Sequence, residues 1–368
     1  MIGIANYFNT EIYILKKLIN ILVILLTFSV AKAQVKYVNE FLNIGVGAEA
    51  FGKGNAHIAG VQDVTAGYWN PSQLVYLENN LEVGLMHSEY FAGLAAYDYG
   101  SAGFKIDDKT AMGVTFMRFG VDDIPNTLDL VDANGNFNFD RISTFSSTDN
   151  AILISYARKT KIEGLSLGGN TKLLYRRVGS FANAYGFGFD FSGTFIKNNW
   201  RFAAVMRDAI GTFSAWRFNT EDLEEVFLRT GNEIPSNSVE TAVPRLILGS
   251  SYNYKIDEDF AVAPEINLDI TFDGKRNVLL KSDFASADIR FGVQANYRKL
   301  IFLRMGIQNI QQEQFISGKQ QTTFQPNIGL GFRLKKVAID YALTDIANQS
   351  AALYSHVFSL RIGINKRQ

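Results

Sequence analysis

The sequence predicts an all-β fold, a transmembrane antiparallel β-barrel of about fourteen strands preceded by a segment that folds as a hatch. Three observations predict it: a secretory leader, a long series of segments alternating with period two, and connections that are alternately short and long.

The leader comes first. Lys16 and Lys17 precede the apolar run Leu18–Val30, after which Ala31 and Ala33 stand before Gln34. A basic start, a run too short to cross a bilayer and small residues at the cut describe a signal removed on export. Residues 1–33 are therefore read as signal peptide, 34–80 as the hatch and 81–368 as the barrel.

The strands follow. In "YGFGFDFSGTF", Tyr185, Phe187, Phe189, Phe191 and Phe195 alternate with Gly186, Gly188, Asp190, Ser192 and Thr194. "INLDITF" sets Ile266, Leu268 and Ile270 against Asn267, Asp269 and Thr271, and "HVFSLRIGI" sets Phe358, Leu360 and Ile362 against Ser359, Arg361 and Gly363. A soluble sandwich alternates too, but its strands are nearer six residues, and its polar side seldom mixes Arg, Lys and Asp with Gly and Ser. Such segments begin near Leu81, Phe91, Thr110, Asn150, Gly164, Ala184 and Trp200, then Pro244, Asp259, Ala287, Leu300, Phe324, Val337 and Ser355.

The connections agree. "DDK" at 107–109, "KTKIE" at 159–163, "KNN" at 197–199, "IDED" at 256–259, "RK" at 298–299 and "KK" at 335–336 are short and polar. Between them run longer pieces: Asp122–Asp149, Gly211–Val243, Asp273–Ser286, Asn309–Thr323 and Thr344–Tyr354. One rim of short turns, read as periplasmic together with both termini, and one rim of long loops is the pattern of an outer-membrane barrel.

Composition excludes several function classes. The 36 basic and 36 acidic residues balance, so nucleic acid is not an expected partner. There is no cysteine, hence no disulfide, thiolate metal site or cysteine nucleophile. The three histidines, His57, His87 and His356, form no evident pair with a serine, and no catalytic residue is assigned. "DANGNFNFD" at 132–140 resembles a calcium loop, but Phe137 stands where the EF-hand needs glycine and Ser143 where it needs glutamate. No cofactor and no metal are expected, and no enzyme activity.

The segment before the barrel is rich in small residues, among them Gly45, Gly47, Gly52 and Gly54, and ends in Tyr68-Trp69-Asn70-Pro71. Small residues let backbone approach backbone, as a plug inside a lumen requires. Asn70 turns the chain, Pro71 fixes φ and extends the residue before it, and Trp69 supplies a wedge. "YWNP" is read as the latch that seats the hatch on the inner wall.

The stretch "GVGAEAFGKGNAHIAGVQDVTAGYWNPSQL" resembles the N-terminal signature of the PorV/PorQ family, FadL-like outer-membrane barrels of about fourteen strands. Ser72 stands where that family usually has alanine. The resemblance implies a place in the outer membrane of a Bacteroidota-type Gram-negative bacterium. It further implies service to type IX protein secretion, with secretion-system proteins or secreted cargo domains as partners beside the outer-membrane lipid.

Two further sets of residues bear on function. The inward sides carry Lys172, Arg176, Asp190, Asp269, Arg290, Arg304 and Arg361, a packed polar network that suits a binding or scaffold barrel. The alternative is a FadL-like channel for hydrophobic small molecules, which calls for an apolar ligand cavity. For partner contact, the loop Gly211–Val243 offers Phe213, Trp216 and Phe218, with Phe227 on the apolar face of a short helix over Thr220–Leu228.

Overall fold

The computed structural model describes residues 38–90, 93–131, 135–220, 224, 227–228, 231–314, 320–346 and 354–365. The leader and the loop tip Asp132–Asn134 lie outside the described residues, as does most of the helix expected at Thr220–Leu228.

Fourteen antiparallel staves close into a barrel. The first six are β1 (Leu81–Tyr90), β2 (Ala95–Lys105), β3 (Thr110–Asn126), β4 (Ser143–Lys159), β5 (Leu165–Val178) and β6 (Ala182–Lys197). Two interrupted staves follow. β7 is Trp200–Arg207 continued by Thr212–Phe218, and β8 is Ser238–Ala242 continued by Arg245–Tyr252. The last six are β9 (Phe260–Thr271), β10 (Ser286–Tyr297), β11 (Ile301–Gln314), β12 (Gln320–Leu334), β13 (Val337–Thr344) and β14 (Ser355–Ile364). Each stave pairs with its sequence neighbours, and β14 pairs back onto β1 from Leu81↔Ile364 to Ser88↔Val357. Closure leaves no edge strand and satisfies the backbone within the wall, the condition for spanning lipid.

Alternation sets the two faces. β6 holds Ala182, Ala184, Asp190, Ser192 and Thr194 in the interior and leaves Tyr185, Phe187 and Phe191 exposed. The exposed large side chains of the other staves, such as Ile152, Leu303, Phe332 and Phe358, complete an apolar outer face. That face makes this a membrane-spanning barrel rather than a soluble one.

The short turns fall where the sequence puts them. Arg298 and Lys299 both have positive φ (52° and 53°), the two-residue hairpin geometry that matches strand twist. Arg298 also donates to Asp259 across that rim at 2.9 and 2.8 Å, and these hydrogen bonds hold the Asp259 carboxyl below the usual carboxylate range.

Three expectations need correction. β2 starts at Ala95 rather than Phe91. β3 and β4 run far beyond Asp122 and Asp149, pairing Ile124 with Phe145 and Asn126 with Ser143. The supposed loop Gly211–Val243 is wall at both ends, because Thr212–Phe218 pairs with β6 and Ser238–Ala242 pairs with it in turn. In the last two cases the strands rise past the apolar band, where water covers both faces and the alternation fades.

Candidate functional site: the hatch and its seat

Residues 38–77 fill the lumen, and nearly all of them are buried. The segment enters at the long-loop rim, where Glu40 and Asn43 share a cavity with Asn309 and Gln311, and it leaves at the short-turn rim, where Asn79 meets Asn365. The described chain therefore threads the barrel from one mouth to the other. At Asn39, beside Ser214 of β7, the chain is in the long-loop half; the mature end expected at Gln34 lies outside the described residues.

The latch is built as the sequence suggests. Ala66–Trp69 is one helical turn, Asn70 is extended at φ −159°, and Pro71 opens a 3-10 turn through Tyr76. Trp69 is 1% exposed and donates from Nε1 to the Val46 carbonyl at 2.8 Å. Tyr68 packs edge-on against it, donates its hydroxyl to the Leu42 carbonyl at 2.7 Å, and lies under the Arg207 guanidinium at 4.5 Å. Asn70 Nδ2 donates to the Ile58 carbonyl and to Thr194 Oγ1 of β6 at 2.8 and 2.9 Å.

Ser72, where alanine was the expected residue, bridges Asn70 Oδ1 (2.6 Å) and Thr194 Oγ1 (2.8 Å), while its backbone N–H donates to Ser192 Oγ. Pro71 and Ser72 lie flat on Gly168 of β5, where any Cβ would stand 2.7 Å from the Pro71 carbonyl carbon. The motif thus rests on β5 and β6. Trp69→Ala should cost about 3–5 kcal/mol, the range for truncating a buried aromatic, and lower the temperature at which the barrel loses heat-modifiable gel migration.

The hatch glycines act in two ways. Gly45 and Gly47 take positive φ (106° and 84°) in the turn clasped by Asn55, which donates to the Ile44 carbonyl at 3.1 Å. Gly52 and Gly54 instead meet wall backbone: a Cβ on Gly52 would lie 2.8 Å from Gly329 Cα, and one on Gly54 would lie 2.7 Å from Ile307 N. The wall answers with inward glycines on three adjacent staves, Gly292, Gly306 and Gly329, on which the backbone of Gly52–Gly54 rests. These three wall glycines form the seat of that hatch turn.

The predicted lumen network is present and divides into two groups. Near the short-turn half, Arg304 donates to Asp340 (2.7 Å), Glu49 (2.9 Å) and Gln294 (2.6 Å). Arg361 donates to Glu49 (3.0 Å), Asp340 (2.9 Å) and Asp63. Lys53 pairs with Glu265 at 3.4 Å. Hatch acids thus meet wall bases and a hatch base meets a wall acid. Toward the long-loop half the pairs lie within the wall. Lys172 sits between Asp190 and Asp208, Arg245 and Arg290 share Asp269, and Arg176 holds Asp149 at 2.7 Å.

Glu49, His57 and Asp63 offer ligand atoms within 4.8 Å of one another. Their chemistry is nevertheless that of an ion-pair junction. Arg304 and Arg361 both donate to Glu49, while Asp63 accepts from Arg361 on one oxygen and from Thr65 on the other. The two guanidiniums already supply the positive charge that a metal would bring.

Of the four candidate partner residues, Trp216 and Phe218 are brought together and Phe213 and Phe227 lie apart from them. Phe213 faces outward beside Phe187 (5.6 Å), whereas Trp216 points into the lumen, where Arg176 lies over its ring at 4.8 Å and Phe218 stacks at 6.1 Å. Phe227 belongs to a separate helical piece beyond the strand. An apolar groove of about 650 Å³ does exist, but it lies on the outer wall along Ile266, Phe291, Ile307 and Pro326, not under the hatch. At the long-loop mouth the lumen keeps a polar cavity of about 250 Å³ lined by Arg245, Asp269 and Arg290.

No family model and no curated protein matches the sequence. Solved structures do match. A monoaromatic hydrocarbon channel, CymD, aligns at 14% identity over 88% of this chain and 99% of its own, with a TM-score of 0.57. The Pseudomonas putida toluene transporter TodX aligns at 12% identity over 88% and 99% (TM-score 0.53), and the Ralstonia pickettii toluene transporter TbuX at 12% over 87% and 99% (TM-score 0.52). At such identities the likeness establishes the fold: a FadL-like barrel.

Proposed function

We propose that the protein is an outer-membrane channel of the FadL-like type that admits small hydrophobic molecules, with residues 38–77 as its resident plug. The observation that carries this reading is the architecture. A closed barrel with its N-terminal segment folded inside spans nearly the whole length of CymD, TodX and TbuX, a monoaromatic hydrocarbon channel and two toluene transporters. On this reading the latch and the ion pairs hold the plug, and passage requires the hatch to shift against β9–β14, where those pairs lie.

A second reading, a binding or scaffold barrel serving type IX protein secretion, is favoured by a specific observation. The hatch meets the wall through packed apolar side chains and, along β9–β14, through buried ion pairs. The aromatic-Asn-Pro latch supports it as well.

One pair of measurements separates the two. Purified protein in liposomes should accelerate toluene entry over empty liposomes, while affinity isolation from the native outer membrane should return no secretion component. No acceleration, together with stoichiometric recovery of secretion proteins, would transfer the conclusion to the second reading.

A further inference from the structure

The apolar outer face is not equally tall all round. β6 turns Tyr185, Phe187, Phe189, Phe191 and Phe195 outward, about 24 Å of height for a strand tilted near 45°. β1 turns only Leu81, Val83 and Leu85 outward before His87, about 10 Å by the same measure. β2 offers Phe104, Ala102 and Gly100 below Asp98, and β3 offers Met112, Val114 and Phe116 below Arg118.

His87, Asp98 and Arg118 lie opposite one another across the three staves. They form one network on the lipid side: His87 Nδ1 is 2.7 Å from Asp98, Arg118 is 3.7 Å from Asp98 and 3.9 Å from Asp122, and His87 is 4.0 Å from Glu89. Charges facing lipid are costly within the apolar band, and beneath Asp98 the small Gly100 and Ala102 of β2 leave room for close approach.

Three carboxylates, on Glu89, Asp98 and Asp122, stand against the one guanidinium of Arg118, so the patch is negative. Anionic lipid phosphates would be repelled, and a second copy would bring the same sign. We propose that the outer face of β1–β3 is a lateral docking surface for another membrane protein that presents lysine or arginine side chains at this height. The proposal is independent of what, if anything, crosses the lumen. It places contact on the wall, where Phe213, Trp216 and Phe218 do not reach.

The test is photo-crosslinking of the full chain in its native membrane, with a photoreactive residue at Ala96 on this face or at Leu330 of β12, four staves away. Ala96 should give a discrete adduct with a different protein, joined through a peptide bearing lysine or arginine, and Leu330 should give none. Asp98→Lys combined with Asp122→Lys should reduce the Ala96 adduct at least tenfold while the barrel keeps folded gel migration. An adduct of twice the chain's own mass, products with lipid alone, or an adduct that survives charge reversal would each overturn the proposal.

Discussion

Arg304→Ala should destabilise the protein by about 3–5 kcal/mol, the cost of leaving buried partners without their counter-charge. Arg304 is 1% exposed and is the point where Glu49 of the hatch meets Asp340 and Gln294 of the wall. Its removal leaves Glu49 and Asp340 with Arg361 alone. The loss should appear as a lower urea midpoint for the folded, fast-migrating form in detergent or vesicles. Faster proteolysis within residues 38–77 should accompany it, because half of the ionic tie on Glu49 is gone. Arg298→Ala, which removes an exposed pair with Asp259 at the rim, should leave both readouts near wild type. Equal behaviour of the two variants would mean that the interior network is hydrated and adds little.

The barrel was largely legible because its physics is local. Lipid outside and packed polar groups inside force period-two alternation on every stave, and short turns punctuate it at one rim. What failed to show is equally physical. Gly120–Asn126 and Ser143–Thr148 pair above the apolar band, so neither face needs to be apolar and the pattern reads as loop. Thr212–Phe218 was missed for a related reason: β7 breaks at Asp208–Gly211, with positive φ at Asp208 (52°) and Gly211 (85°), and a break in the chain reads as the end of a strand.

The site was legible in its residues but not in its pairings. Arg304 and Arg361 could be assigned to the interior by parity. That Glu49 and Asp63 of the hatch would be their partners, and that Lys53 would meet Glu265, depends on contacts more than two hundred residues apart. Ser72 shows the limit from the other side. It read as a mild departure from a family pattern, yet its hydroxyl joins the latch to β6.

Gly306→Val separates seat from wall. Valine suits a strand better than glycine does, so β11 itself should gain from the change. The hatch should not, because a Cβ at Gly306 would collide with the backbone of Lys53 and Gly54, which cannot swing aside as a side-chain tip would. Forcing atoms into such a packed contact costs about 1–3 kcal/mol, and that range moves a seated–unseated equilibrium by roughly 5- to 150-fold. The expected result is a barrel that still assembles and migrates as folded but admits small polar solutes, read as faster swelling of liposomes in an iso-osmotic sugar. Met305→Val, one residue away and facing lipid at 55% exposure, should leave swelling at the wild-type rate. Lys53→Met with Gly306 intact removes the pair with Glu265 but not the backbone contact, so it should open the lumen less than Gly306→Val does. If Gly306→Val swelled no faster than wild type, the glycine row would not be the seat, and the hatch would be held by its latch and ion pairs alone.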